Sequence, residues 1–329
     1  MPAKPRIALT MGDPAGIGPE IAVRCACEEQ LKALADIHIF GCPEIIQEAA
    51  RRFAGGNVPL LESTGSMAFD SLKPGVLSAE CGRQAYEAVR QATLAVIEGR
   101  FDAIATAPVN KAAVNAAGID FTGHTEMVAA LCGTESYAMM QSSGKLRVVF
   151  ATTHIALADV PKALTFDRIV EVACLLRHTI QLEGVESPKI AVAALNPHAG
   201  EGGLMGMEDE TIVKPAIARL RQLGFDIEGP FPPDTLFIEQ VRSRFDGIVS
   251  LYHDQGHIPF KMLAFDSGVN STLGLPIIRT SVDHGTAFEI AWQGRASTGS
   301  LEAAIALAAR RAASAKCKAA FRRGGALGC

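Results

Sequence analysis

Three histidines stand at equivalent places along the chain. His154 follows the apolar run LRVVFATT, His198 follows KIAVAALNP, and His253 follows GIVSLY. Short apolar runs closed by polar residues read as buried strands, so each imidazole sits just past a different strand. If those strands are parallel neighbours, the three rings meet. Three neutral imidazoles with a fourth position open suit a catalytic divalent cation, with Zn²⁺ foremost and Co²⁺, Ni²⁺ or Fe²⁺ as alternatives. Taken singly, each histidine reads better as an ordinary hydrogen-bonding residue; the repeated placement turns the reading toward a metal. A local pair, His253 and His257 on one helical face, ranks below the three-strand arrangement. Asp254 either orients His253, takes a substrate proton, or caps the next helix.

A second set of residues suits an anion. Lys261, Asn270 and Arg279 punctuate KMLAFDSGVNSTLGLPIIRTS, and two cations with an amide can hold a phosphate; ordinary surface charge is the plainer alternative. GHTE, from Gly123 to Glu126, reads as a helix start. Thr125 would cap it and Glu126 would favour its positive end, leaving His124 for a ligand. The opening strand runs into GDPAGIGPEI, with Gly12, Gly16 and Gly18 ahead of a helix. Backbone amides there can approach a cofactor or an anion closely. The spacing is not GxGxxG, and any tight strand-to-helix turn can use glycine for its own geometry.

The elements that must position these residues alternate. RIALTMG, IHIFG, DAIATAP, LRVVFATTH, KIAVAALN and GIVSLYH read as strands, separated by segments such as SAECGRQAYEAVRQATLAVIEG with helical apolar spacing. That pattern predicts βαβ units, a largely parallel sheet, and ligands at the carboxyl ends of strands. The stretch from Ser300 to about Arg323 reads as a closing helix that serves packing only. With 329 residues, 48% of them hydrophobic, the chain can bury one large or two medium cores. No repeat or linker separates independent domains.

Composition excludes several classes. The formal net charge is −4, with no basic stripe to track nucleic acid or an anionic membrane. Eight cysteines from Cys25 to Cys329 lack a CxxC pair, so reduced thiols are expected rather than a zinc knuckle or a disulfide framework. The start meets Asp13 too early for a signal peptide, and no segment holds eighteen uninterrupted apolar residues. A cytoplasmic location without membrane partners is expected.

The segments MGDPAGIGPEI, TAPVNKAAV, GHTE, TTHIAL, LNPHAGEGG, GPFPPDTLF, YHDQG and GVNSTLGLPIIRTSVDHGTAFEIA together resemble the 4-hydroxythreonine-4-phosphate dehydrogenases of pyridoxal phosphate synthesis and their close relatives. The resemblance covers essentially the whole chain. It implies a two-lobed α/β fold like that of isocitrate and isopropylmalate dehydrogenases, with the active site in the interlobe cleft. On that pattern, residues 1–125 with 268–329 form the cofactor lobe and 126–267 the metal and dimer lobe. It also implies a homodimer whose active site is shared across the interface, NAD or alternatively NADP, and one divalent metal ion: Zn foremost, with Co, Mn, Mg or Ni as alternatives. Carried over by residue, the resemblance makes His154, His198 and His253 metal ligands. Substrate contacts become His124, Thr125, Lys261, Asn270 and Arg279. HGTAFEIA resembles the segment that holds the adenosine part of NAD in isopropylmalate dehydrogenases, giving His284, Gly285, Thr286 and Ala287 as cofactor residues beside Gly12, Asp13 and Gly16.

Two positions depart from the usual pattern. HIPFKML follows DQG where pyridoxal-pathway members read something like LPVLKY, a version closer to the branch acting on 4-phospho-D-threonate or 4-phospho-D-erythronate. Trp292 stands where relatives usually place glycine, and either stacks on adenine or faces solvent. The expected reaction is oxidation and decarboxylation of a small phosphorylated 3-hydroxy acid, with Asp254, Asp234 and Lys261 as catalytic candidates. Its rivals are a dehydrogenase of a non-phosphorylated diol acid on the same fold and a non-catalytic metal- or ligand-binding relative.

Overall fold

The structure is a computed structural model that describes residues 4–314. Its strands are β1 (Arg6–Thr10), β2 (Asp36–Gly41), β3 (Leu60–Ser63), β4 (Ala103–Thr106), β5 (Ala138–Ser143), β6 (Leu146–Phe150), β7 (Lys189–Ala193), β8 (Asp226–Phe231), β9 (Gly247–Ser250), β10 (Val269–Leu273) and β11 (Arg279–Val282). All six runs read as strands from the sequence are strands: β1, β2, β4, β6, β7 and β9. The expected α/β class is borne out. β5, β10 and β11 escape an apolar-run search because they bury polar residues, among them Gln141, Ser142, Ser271, Thr272, Thr280 and Ser281.

The chain divides into two compact units. The first takes the described residues up to Glu135 and from Leu275 onward; the second is Ser136–Gly274. In the first, the strands lie in the order β3-β2-β1-β4-β11, every pair parallel. The helix Ala79–Ile97 buries Cys81, Ala85, Ala88, Val89, Ala92 and Val96 at helical spacing, and the Ser78 hydroxyl caps it by accepting from the Cys81 amide. The closing helix runs Gly299–Ala313; the stretch beyond 314, to Arg323, lies outside the described residues.

In the second unit the order is β10-β5-β6-β9-β7-β8, with β5 antiparallel to both neighbours and the other pairs parallel. Alternation along the strands gives each face its own core. Val149, Ile190, Val192 and Val249 pack with Ile169, Val172 and Leu176 on one side. Val148, Phe150, Ala191 and Ile248 pack with Leu236 and Phe260 on the other. Burial on both faces explains why these strands read as continuous apolar runs, and each large side chain so buried contributes about 1.5–3 kcal/mol.

Candidate active site

β6, β9 and β7 are consecutive parallel neighbours in the second unit, so the three histidine-bearing strand ends lie side by side. His154 and His253 come together, their ring centroids 5.7 Å apart. His253 opens the helix His253–Ala264, whose place is fixed by two residues. Gln255 is buried; its amide donates to the Ala194 carbonyl at 2.6 Å and its oxygen accepts the Leu251 amide at 2.7 Å, tying the ends of β7 and β9 together. At Gly256 a Cβ would stand 2.6 Å from the Phe150 ring, so only glycine lets the helix sit this close to β6. His253 Nδ1 lies 2.6 Å from an Asp254 carboxylate oxygen, which leaves Nε2 as the nitrogen open to a ligand. Tyr252 is the N-cap and no side chain caps this helix, so Asp254 orients its neighbour instead.

His257 is not half of a local metal pair. Its ring stacks on His253 at 3.9 Å and 9° and on Phe150 at 4.2 Å. Nδ1 donates to the His253 carbonyl at 3.1 Å, so Nε2 is the acceptor facing the Gln141 amide at 3.3 Å. Both nitrogens are therefore engaged, and burial beside His253 pushes the imidazole down to about 4, keeping it neutral.

His198 follows a firmly held approach: the buried Asp209 carboxylate accepts the Leu195 and Asn196 amides at 2.8 and 2.9 Å. Beyond it the backbone is left-handed at His198, Ala199, Gly200, Glu201 and Gly202, with φ between 44° and 76°. His198 Nδ1 turns to Glu201 at 3.4 Å, and its side chain is 65% exposed. Among the described residues, no three His, Cys, Asp or Glu side chains are gathered closely enough to hold a metal ion. The donors fit a divalent cation in type and in strand placement; the structure brings two of them together and leaves the third turned aside. Asp234 lies on the short helix Pro233–Leu236 after β8 and is exposed. Lys261 is also exposed, in the last turn of the helix His253–Ala264. Asn270 is on β10, with its amide oxygen buried and without a hydrogen-bond partner.

The first unit holds the remaining anion-binding candidates. Arg279, the first residue of β11, is only 3% exposed. Its guanidinium donates to the Thr125 hydroxyl at 3.4 Å and the Thr106 hydroxyl at 3.2 Å. Burial lowers it to about 10, so it stays cationic at neutral pH. Gly123, not Thr125, is the N-cap of the helix His124–Leu131, and no side chain caps it. The Thr125 hydroxyl serves Arg279 instead. His124 is pushed down to about 3 by burial and by the charges of Arg279 and Lys111, and its Nε2 is buried without a partner. A neutral imidazole, two hydroxyls and two cations are groups that could hold a phosphate-sized anion. Sequence reasoning missed Thr106 and Lys111, although β4 ends on the one and the next helix, Lys111–Ala116, opens on the other.

The two segments expected from the sequence to hold the cofactor also meet in this unit: the Ile17 amide donates to the Thr286 carbonyl at 3.0 Å. The glycines serve this packing. A Cβ on Gly16 would stand 2.8 Å from the Thr286 carbonyl, and one on Gly12, at φ 73°, 2.7 Å from that of Pro108. Asp13 is fully buried; burial raises it to about 6 against the amides of Ala15 and Asn110, and one of its oxygens has no partner. His284 and Gly285 are exposed, Thr286 is buried, and Ala287 is left-handed at φ 42°. Trp292 neither faces solvent nor stands ready to stack on a ligand: it is 7% exposed and donates its indole N–H to the Pro14 carbonyl at 2.8 Å.

A family model described as pyridoxal phosphate biosynthetic protein PdxA matches residues 20–308. A D-threonate 4-phosphate dehydrogenase of Salmonella typhimurium is 42% identical over 92% of this chain and 97% of the relative. A 4-hydroxythreonine-4-phosphate dehydrogenase of Geobacter metallireducens is 42% identical over 94% of this chain and 96% of the relative. The crystal structure of a 4-hydroxythreonine-4-phosphate dehydrogenase from Klebsiella pneumoniae matches with a TM-score of 0.81 at 41% identity, covering 94% of this chain and 100% of that one.

Proposed function

The chain belongs to the family of the pyridoxal phosphate biosynthetic protein PdxA and is a dehydrogenase; from that premise we propose that it oxidises and decarboxylates a four-carbon phosphorylated 3-hydroxy acid. The substrate is 4-phosphohydroxy-L-threonine or 4-phospho-D-threonate/D-erythronate, matching the names of its relatives. One observation carries the phosphorylated class: the buried Arg279 guanidinium with Thr125 and His124 at its side. A non-phosphorylated monocarboxylic acid would bring no second anionic group to this buried cation.

Family membership implies a nicotinamide cofactor and a divalent metal, proposed as NAD and zinc. His154, His198 and His253 would hold the metal, supported by the adjacency of β6, β9 and β7. A bound cation supplies Lewis acidity to the substrate hydroxyl and to the charge that develops as carbon dioxide leaves, and NAD supplies the hydride acceptor. Arg279, Thr125 and His124 bind the phosphate, with Lys261 and Asn270 as further substrate contacts, so that binding remote from the reacting carbon positions it. Asp254 holds His253 Nδ1; Asp254, Asp234 and Lys261 are the proton-handling candidates. Gly12, Asp13 and Gly16 with residues 284–287 receive the dinucleotide. The first unit is then the cofactor side and the second the metal side.

A homodimer completes the reading. Ile258, Met262, Leu263 and Phe265 stand exposed on and just after the helix His253–Ala264, Met262 at 83%, an apolar surface suited to a second copy. The proposed location is the cytoplasm; no helix among the described residues is long and apolar enough to cross a membrane. The test is NADH formation from each of the three phosphorylated acids after chelation and metal restoration. Turnover of one of them that depends on the metal is expected; turnover only of non-phosphorylated acids would overturn the substrate class.

A further inference from the structure

We propose that Trp292 is a positioning residue for the dinucleotide, its indole fixing the shape of the backbone that receives the cofactor. The proposal rests on the reading that residues 12–18 and 284–287 hold NAD. Five hydrogen bonds join these stretches and their continuations. The Ile17 amide donates to the Thr286 carbonyl and the Trp292 indole to the Pro14 carbonyl. The amides of Gly294 and Ala296 donate to the two oxygens of Glu20, at 3.1 and 3.0 Å. Arg24 donates to the Ala296 carbonyl at 2.6 Å. Glu20 is fully buried, so its carboxylate is committed to holding residues 294–296 in place.

Within this frame the stretch between Ala287 and Trp292 begins and ends in left-handed backbone, at φ 42° and 62°, a region that non-glycine residues avoid. A glycine would adopt φ 62° at 292 without strain. Tryptophan there means that the ring does something the backbone does not reward. The ring packs against Phe53 and Phe69, with centroids 5.8 and 5.0 Å away, and the Arg52 guanidinium lies over both Phe69 and Trp292. Its polar edge reaches the one carbonyl between Asp13 and Ala15. The indole thus anchors the glycine turn to the left-handed stretch. Releasing it loosens both segments at once, although the other four bonds remain, and adds an entropic penalty that ligand binding must then meet.

Trp292 is the only tryptophan in the chain, so it reports on its own surroundings. In the wild-type protein, NADH is expected to quench Trp292 emission by energy transfer to the reduced nicotinamide. Trp292→Phe keeps an aromatic ring but loses the donor, and is expected to raise the Kd for NAD, measured by calorimetry without substrate or metal, about fivefold. Trp292→Gly relieves the left-handed strain yet is expected to raise that Kd about tenfold or more. In both, kcat at saturating NAD and the KM for the phosphorylated acid stay within about twofold. Quenching in the wild type with an unchanged Kd in Trp292→Phe overturns the proposal and leaves the cofactor reading standing. Absence of quenching overturns the cofactor reading, and the proposal with it. If Trp292→Gly does not fold, Trp292→Phe decides alone; lowered stability with an unchanged Kd marks a role in packing only and also overturns the proposal.

Discussion

Replacing Arg279 by methionine separates the energetics of binding from those of folding. The guanidinium is 3% exposed, and burial brings it down from the ordinary arginine range to about 10. For a base the sign is unfavourable: the folded state carries the full burden of the charge at every pH below about 10, and that burden fades only as the pH rises above it. The depression corresponds to about 3 kcal/mol, the part of the burial cost that the carboxylate of Glu126 leaves uncompensated. Methionine removes the charge and much of the shape is retained, so the ligand-free variant should unfold no earlier than the wild type. Binding should move the other way. A charge-assisted hydrogen bond to phosphate is worth about 1.5–3 kcal/mol, so KM for the phosphorylated acid should rise about ten- to a hundredfold, with kcat falling less. Initial rates of NADH formation against substrate concentration, alongside thermal unfolding without ligand, read both quantities. An unchanged KM would refute the phosphate assignment, and a large loss of ligand-free stability would refute the argument that this cation is held for a ligand.

Three further outcomes follow from the same structure. His198→Ala should abolish turnover with the fold intact, as should chelation, reversibly on metal return; near-normal rates in chelator-stripped His198→Ala would remove the metal assignment. His124 is lowered from its ordinary 6.5 to about 3, so it contributes stability above pH 6.5 that is lost as pH falls from there toward 3. Asp13, raised to about 6, works in the opposite sense, destabilising above that pH and less below it. Urea unfolding of wild type and His124→Gln at about pH 7 and about pH 4.5 isolates the histidine: the variant should lose less stability on acidification, and equal losses would contradict its burial as a neutral ring. Gly12→Ala places a Cβ 2.7 Å from the Pro108 carbonyl at φ 73°, which should destabilise by about 1–3 kcal/mol and lower Tm by several degrees; an unchanged Tm would show that this turn can open.

What the sequence disclosed was governed by how much of each signal is local. The strands that carry the three histidines are apolar because both faces of the sheet are covered, so their ends, and the polar residues just past them, could be read directly. Their neighbourhood in space, β6 beside β9 beside β7, could only be supposed. β11 and β10 were hidden because their buried residues include serine, threonine and arginine, whose partners are distant in sequence; Arg279 meets Thr106 across 173 positions. The Thr125 reading failed for the same reason: a threonine near a helix start signals a cap, and nothing local reveals that a buried guanidinium takes its hydroxyl.

Glycine shows the limit most sharply. Gly12, Gly16 and Gly18 look from the sequence like a cradle whose amides face a ligand. In the structure their missing side chains admit Pro108, Thr286 and the Met11 carbonyl, the last only 2.4 Å from where a Gly18 Cβ would stand. The motif is thus first a condition for close packing: Gly16 joins the turn after β1 to Thr286, Gly12 joins it to Pro108, and Gly18 lets the helix start fold back on Met11. Substitutions at these glycines should therefore lower stability and dinucleotide affinity together, whereas Trp292→Phe, which leaves every backbone contact possible and withdraws one indole donor, should lower affinity with a smaller fall in Tm than Gly12→Ala causes.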